Sequence, residues 1–231
     1  MKLSVVIPVY NEKNTIQEIV KMVKNVEIPD VEKELILVED GSKDGTLDIL
    51  KKMKEEQKDL NVYFHKVNSG KGASLRDGFK LSTGDYVIVQ DADLEYDPQD
   101  YKKLINALKD YNAKVVYGSR FAGDYKDMTS LHYIGNKVLT LLTNILFGVK
   151  LNDMETCYKL IPGDFIRKMN IRSNRFNFEP EITAKILKRG YKIIEVPIDF
   201  TNPRTFSQGK KITWKDGVKH FIYLLKYRFS N

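Results

Sequence analysis

Four short runs rich in β-branched residues each break off into a polar cluster, and this repeated join limits the fold more than any other feature of the chain. Leu3 to Val9 leads into Tyr10-Asn11-Glu12, and Glu34-Leu35-Ile36-Leu37-Val38 leads into Glu39-Asp40-Gly41-Ser42. Val62-Tyr63-Phe64 is followed by Asn68-Ser69-Gly70-Lys71-Gly72, and Tyr86 to Val89 by Gln90-Asp91-Ala92-Asp93. Short continuous apolar runs are the pattern of strands covered on both faces. In a doubly wound sheet their ends line up along one crevice, where open α/β folds bind ligands. The first run is expected to stop at Pro8 and the turn around Asn11.

Segments with helical spacing separate these runs. Asn11 or Asn14 is placed to cap a helix through Ile16, Ile19, Val20 and Val23. Asp44-Gly45-Thr46 opens a second, with Leu47, Leu50 and Met53 on one face, and a third follows Gly72 through Leu75 and Phe79. Tyr101 to Leu108 is a fourth, leading to a fifth strand at Val115-Val116-Tyr117-Gly118. Strands alternating with helices predict an α/β fold, a mostly parallel Rossmann-like sheet with helices on both faces. Further on, Leu131 to Phe147 reads as an apolar helix ended by Gly148, and Asp153 to Leu160 as a loop feeding a strand. Pro180 to Leu187 is a helix stopped by Arg189-Gly190, and Tyr191 to Val196 a strand. Thr201 to Lys211 is a basic loop, and Trp214 to Phe229 a final helix. No repeat or linker interrupts the 231 residues, so one domain is expected, residues 1–120 forming one half and 121–231 the other.

Composition narrows the partners. A net charge of +7 favours an anionic partner such as a nucleotide, a phospholipid surface or nucleic acid. The single Cys157 excludes an internal disulfide, three scattered histidines give no zinc spacing, and a reducing cytoplasm is the natural setting. The apolar run after Met1 is too short for a signal peptide, and no stretch approaches the roughly 20 apolar residues that span a bilayer.

The chemistry sits at the strand ends. Asp91, Asp93 and Glu95 offer hard oxygen ligands suited to Mg²⁺ or Mn²⁺, ions that usually share substrate phosphates. Gly70-Lys71-Gly72 at a helix start can approach a phosphate through backbone N–H groups. It is not a dinucleotide fingerprint, because Leu75 takes the third glycine's place, and not a P-loop, because no Ser or Thr follows Lys71.

Taken together, these segments resemble the family 2 inverting glycosyltransferases of the GT-A fold, in particular the polyprenyl-phosphate sugar synthases. The residues are Val6-Ile7-Pro8-Val9-Tyr10-Asn11-Glu12, Val38-Glu39-Asp40-Gly41-Ser42 with Asp44-Gly45-Thr46, Asn68-Ser69-Gly70-Lys71-Gly72, Gln90-Asp91-Ala92-Asp93, Gly118-Ser119-Arg120 and the Arg204 to Lys211 loop. Glu39 departs from the family's usual aspartate and adds a methylene where the base is expected to contact. The resemblance implies a nucleotide-sugar site formed by Pro8, Tyr10, Glu12, Val38, Glu39, Asp40, Lys71, Asp91, Ala92 and Asp93 in residues 1–120. It implies a divalent ion on Asp91 and Asp93, with Glu95 as a further ligand. Arg120 and Asn136 would face an acceptor phosphate, and Arg204 and Lys211 would close over the phosphates. The implied donors are GDP-mannose or UDP-glucose and the acceptor a polyprenyl phosphate, with a separate membrane-anchoring subunit left open.

A lipid phosphate is already ionised and attacks unaided, whereas a hydroxyl acceptor needs a carboxylate base. Asp153 and Glu155 are the carboxylates placed for that alternative. In the last helix Trp214, Val218, Phe221, Ile222, Leu225 and Phe229 share one stripe, edged by Lys215, Lys219 and Lys226. Such an amphipathic helix suits either an anionic membrane interface, with the protein peripheral on the cytoplasmic face, or a core seat with a wet rim. Leu139, Leu142, Ile145 and Leu146 pose the same choice. A nucleic-acid partner is not expected, since no recognition motif is present and the acidic crevice would repel a phosphate backbone.

Overall fold

The computed structural model describes residues 1–122, 130–201, 203–204 and 214–230. The chain divides into two compact units, Met1–Leu94 with Leu160–Arg175, and Glu95–Lys159 with Phe176–Asn231. Residue 120 thus falls in the second unit, and a returning segment of the later chain joins the first.

In the first unit, strands β1 (Lys2–Val9), β2 (Glu32–Glu39), β3 (Asn61–Phe64) and β4 (Tyr86–Val89) are all parallel, in the order β3-β2-β1-β4. β6 (Lys159–Pro162) lies beside β4 and runs antiparallel to it, with Leu160 opposite Ile88. β1 runs through Pro8 rather than stopping there, pairing Pro8 with Val38. The reason is local: β4 pairs only as far as Val6, so the missing proline N–H forfeits no ladder bond.

Helices α1 (Ile16–Asn25), α2 (Thr46–Glu56) and α3 (Lys71–Leu81) connect the parallel strands, and α6 (Gly163–Lys168) follows β6. Ile16, Ile19, Val20 and Val23 of α1 are buried as the spacing predicts. Each contributes at most about 1.5–3 kcal/mol by leaving water. The cap is not Asn11 or Asn14: Thr15 precedes the helix without a side-chain cap bond, and Asn11, at φ 52°, accepts the Lys43 N–H instead.

The second unit holds α4 (Tyr101–Asp110), β5 (Val115–Ser119), α5 (Ser130–Phe147), α7 (Phe178–Lys188), β7 (Ile193–Pro197) and α8 (Trp214–Phe229). β5 and β7 are parallel, with Gly118 opposite Val196. α5 and α8 pack along a seam of Leu139, Met154 and Leu224 with Leu142 and Leu146. The predicted stripe of α8 does not form this seam. His220, Leu224 and Tyr227 are buried, while Val218, Phe221, Ile222 and Phe229 face outward, Phe229 at 80% exposure. The Trp214 and Lys215 side chains lie outside the described set. α5 likewise splits, with Leu139 inside and Ile134, Val138, Leu141 and Ile145 outside, Ile145 at 70% exposure.

Candidate active site

In the first unit the strand-end clusters of β1, β2 and α3 are bound to one another. The Asn11 N–H donates to Ser42 Oγ at 2.9 Å and the Glu12 N–H to Thr46 Oγ1 at 2.8 Å. Asp44 accepts the Thr46 hydroxyl and N–H; burial works against its charge, but these bonds hold its carboxyl below the usual range. Gly41 sits at φ +69°, and a β-carbon there would lie 2.7 Å from the Asn68 backbone N, so the turn admits only glycine. Asp40 holds the next loop in place. Its Oδ1 meets His65 Nδ1 at 2.7 Å and accepts the Ser69 N–H at 2.8 Å, and its Oδ2 accepts the Gly70 N–H at 2.7 Å. His65 Nε2 lies 3.3 Å from Asp77, which ties the loop to α3.

Several of the residues singled out from the sequence have partners within the unit. Glu39 is wholly buried, and its carboxylate folds back to accept the Gly41 and Ser42 N–H groups at 3.1 and 2.6 Å. The added methylene closes its own turn. Val38 is buried with its side chain against Gly78 of α3, so only its main chain faces other partners. Gly70 and Gly72 let the start of α3 approach the Asn174 and Ser173 carbonyls closely, and the Ala73 N–H donates to Asn174 O at 3.1 Å. Tyr10 and Pro8 remain partly exposed at the end of β1, and Glu12 is buried, accepting the Thr15 hydroxyl at 2.8 Å.

Past β4, Gln90 donates its N–H to Val6 O and its amide to Asp91 O, both at 3.0 Å, which fixes the turn into Asp91-Ala92-Asp93. Ala92 is buried while Asp91 and Asp93 are half-buried. Lys71 Nζ lies 2.6 Å from Asp91 Oδ1, so this carboxylate already faces a cation. Two acids at a strand end, with water and diphosphate oxygens completing the sphere, fit Mg²⁺ or Mn²⁺. Among the described residues no group of three His, Cys, Asp or Glu side chains forms a metal cage. In the second unit, Glu95 Oε1 accepts the Arg204 N–H at 2.6 Å.

The second unit is organised around Arg120, which follows β5 and is 8% exposed. Asp153, at 0% exposure, accepts the Arg120 N–H and Nε–H on Oδ2 at 3.0 and 2.7 Å, and Nη2–H on Oδ1 at 2.7 Å. The guanidinium carbon stands 5.4 Å from the ring centres of both Phe121 and Phe200. Burial works against its charge, and Asp153 beside it more than offsets that, so the pKa is raised. Asp153 is itself held by Glu195 of β7, which accepts its N–H at 2.9 Å and that of Asn152 at 2.7 Å. Burial pushes the Glu195 carboxyl up despite these bonds. Glu155 pairs with His220 of α8 at 2.9 Å. Asn136 turns its amide to the His132 carbonyl of its own helix. Lys211 lies outside the described residues. No motif or spacing singles out Glu195, Phe200 or His220, each of which reaches this cluster only through the fold.

A mostly parallel sheet with a glycine-rich turn at the start of α3 and an Asp-x-Asp pair at a strand end is the arrangement of the GT-A glycosyltransferases. The family described as Glycosyl transferase family 2 matches residues 4–168. The chain belongs to that family. It is 28% identical over 206 residues to the polyprenol monophosphomannose synthase of Mycolicibacterium smegmatis, covering 85% of this chain and 76% of that one. It is 27% identical over 227 residues to the low-salt glycan biosynthesis hexosyltransferase Agl6 of Haloferax volcanii, covering 96% of this chain but 53% of Agl6. Among solved structures, the glucosyl-3-phosphoglycerate synthase of Mycobacterium tuberculosis, crystallised with Mn²⁺, UDP and phosphoglyceric acid, superposes with a TM-score of 0.72 at 17% identity. That superposition covers all of this chain and 79% of the other, and it shows the shared fold.

Proposed function

We propose that the protein transfers a hexose from a nucleotide sugar to a polyprenyl phosphate with inversion at the anomeric carbon. The observation that carries this reading is the state of the two candidate bases. Asp153 has both oxygens on Arg120, and Glu155 is enclosed against His220. A hydroxyl acceptor would find one of these two carboxylates engaged and the other enclosed, whereas a phosphate acceptor needs no base and finds a fixed guanidinium in Arg120. One phosphate oxygen attacks the anomeric carbon as the bond to the donor's diphosphate oxygen breaks, and the nucleoside diphosphate leaves with that electron pair. Asp91 and Asp93 would hold a Mg²⁺ or Mn²⁺ ion, whose charge offsets that developing on the leaving group. Lys71, 2.6 Å from Asp91, would bring a second positive charge to the same diphosphate. Arg204 and Lys211 would add charge from the basic loop.

Mannose from GDP-mannose is the first choice of donor, supported by the polyprenol monophosphomannose synthase among the relatives. UDP-glucose is the second reading, supported by the UDP bound to the mycobacterial structure of the same fold. Glu39, folded into its turn, gives no preference between the bases. The exposed apolar residues of α5 and α8 support a peripheral seat on a membrane surface, with Lys219, Lys226 and Arg228 toward anionic headgroups. No helix of the described residues is long and apolar enough to cross a membrane. Purified protein with Mn²⁺ or Mg²⁺, a panel of radiolabelled nucleotide sugars and short polyprenyl phosphates tests the reading. Organic-extractable label is the expected result, and its absence with every donor would sink the proposal.

A further inference from the structure

We infer that His220, on the buried face of α8, is a positioning residue for the phosphate-receiving Arg120, acting through Glu155 on the segment that holds the arginine. The inference rests on the acceptor role proposed for Arg120. Asp153, Met154 and Glu155 are each tied to a different element. Asp153 donates its N–H to Glu195 of β7 at 2.9 Å, and Met154 donates its N–H to Thr140 Oγ1 of α5 at 3.1 Å. Glu155 Oε2 lies 2.9 Å from His220 Nδ1 of α8, with both side chains enclosed. The Asp153 carboxylate that fixes the guanidinium therefore stands two residues from a tie to α8.

An imidazole is a costly choice for packing alone, since Leu224 and Tyr227 fill the same face of α8. Among the described residues His220 Nε2 and Glu155 Oε1 are buried without a hydrogen-bond partner, as are Ser119 Oγ beside Arg120 and Thr156 Oγ1 beside Glu155. A buried polar atom left so costs about 1–3 kcal/mol. Leucine at position 220 would remove the unpaired Nε2 but leave Glu155 Oε2 without the imidazole as well. The retained imidazole is explained by what it does to Glu155.

The charged groups facing His220 are Glu155 from the loop, Glu179 from α7 and Asp216 from α8 itself. α5, also packed on α8, directs Lys137 to the Asn152 carbonyl and the Phe121 ring. Burial would lower the imidazole's pKa, but these carboxylates, Glu155 foremost, hold it above that of an ordinary histidine. The imidazolium form is thus retained to higher pH, and the tie weakens as pH rises through that value.

Calorimetric titration with geranyl phosphate, and separately with UDP and GDP, decides the matter for wild type, Arg120→Ala, His220→Leu and His220→Asn. His220→Leu is expected to weaken geranyl phosphate roughly 10-fold, the low end of the scale seen when an outer partner of a metal ligand is lost, while nucleotide affinity stays unchanged. His220→Asn, whose amide N–H can replace that of Nδ1, recovers most of the loss. Wild-type affinity falls as pH rises through the titration of His220, and that of His220→Asn lacks this component, the ligand's own titration being common to both. Should His220→Leu not fold, the asparagine variant and the pH profile still decide. Unchanged affinity in His220→Leu, an equal loss of nucleotide affinity, or identical pH profiles overturns the positioning role. A wild type that does not bind geranyl phosphate, or an Arg120→Ala that binds it undiminished, overturns the acceptor reading first, and the positioning role falls with it.

Discussion

Asp153→Asn separates an acid that holds Arg120 from an acid that acts as a base. Three donors of Arg120 converge on this enclosed carboxylate, two on Oδ2 at 3.0 and 2.7 Å and one on Oδ1 at 2.7 Å. Asparagine replaces one oxygen with an NH₂ group, so whichever way the amide turns, at least one donor faces another donor. The guanidinium also loses its counter-charge while still buried. Breaking a buried pair from one side costs about 3–5 kcal/mol. In a chain of this size each kcal/mol moves the melting temperature by about 2–4 °C, so a fall of roughly 6–20 °C is expected. Adding Arg120→Met removes the stranded charge and should recover part of that fall. Thermal unfolding followed by circular dichroism gives the stability, and steady-state transfer gives the KM for the prenyl phosphate, which should rise. A melting temperature within about 2 °C of wild type, with acceptor KM unchanged and transfer abolished, would mean that Asp153 is a base and refute the reasoning.

Glu34 yields a pH prediction. Burial works against its charge, but the Ser4 hydroxyl, Thr83 and Lys2 hold its carboxyl at about 2. A depressed carboxylate gives stability that is present above its unfolded value and lost as pH falls, here between about 4.5 and 2. Urea unfolding across that window should show a steeper loss for wild type than for Glu34→Gln, and parallel curves would count against the assignment. Asp91→Asn should weaken Mn²⁺ binding in the presence of nucleoside diphosphate by more than about 10-fold, the least that losing even an outer partner of a metal costs; paramagnetic relaxation of water protons reads it. Ile145→Asp with Ile222→Asp, both on outward positions, should leave the melting temperature unchanged and cut sedimentation with anionic vesicles. Equal sedimentation of variant and wild type would remove these faces from the membrane.

The alternation of strands and helices was legible because each element carries its own period. α1 buries the four residues its spacing selects, and α8 spans Trp214–Phe229 as read. What failed were features set by a neighbour rather than by the segment. Pro8 reads as a stop, yet β1 continues because β4 is too short to need its N–H. β6 runs antiparallel to β4, a direction set by how the chain returns and not by the residues of the strand itself. The period of α8 cannot say which of its faces meets α5, and the fold buries His220, Leu224 and Tyr227.

The same distinction governs the site. Asp91 and Asp93 stand out because two acids at the end of a buried strand offer hard oxygen ligands at the edge where open α/β folds bind ligands. Glu39 and Asp40 carry the same chemistry in the same position, and the fold turns both onto backbone N–H groups nearby. Residue type alone cannot separate a carboxylate that binds ligand from one that builds the loop beside it, because each needs an acceptor at a strand end. Burial separates them: Glu39 and Asp40 are enclosed, and Asp91 and Asp93 are only half so. For Arg120 the partner is 33 positions away, and which carboxylate it takes, Asp153 rather than Glu155, is decided once β5 and the Asp153 loop are brought together. Of the two roles open to Asp153 in the sequence, a base for a hydroxyl acceptor and a helper to Arg120, that pairing favours the one that keeps a positive charge in place.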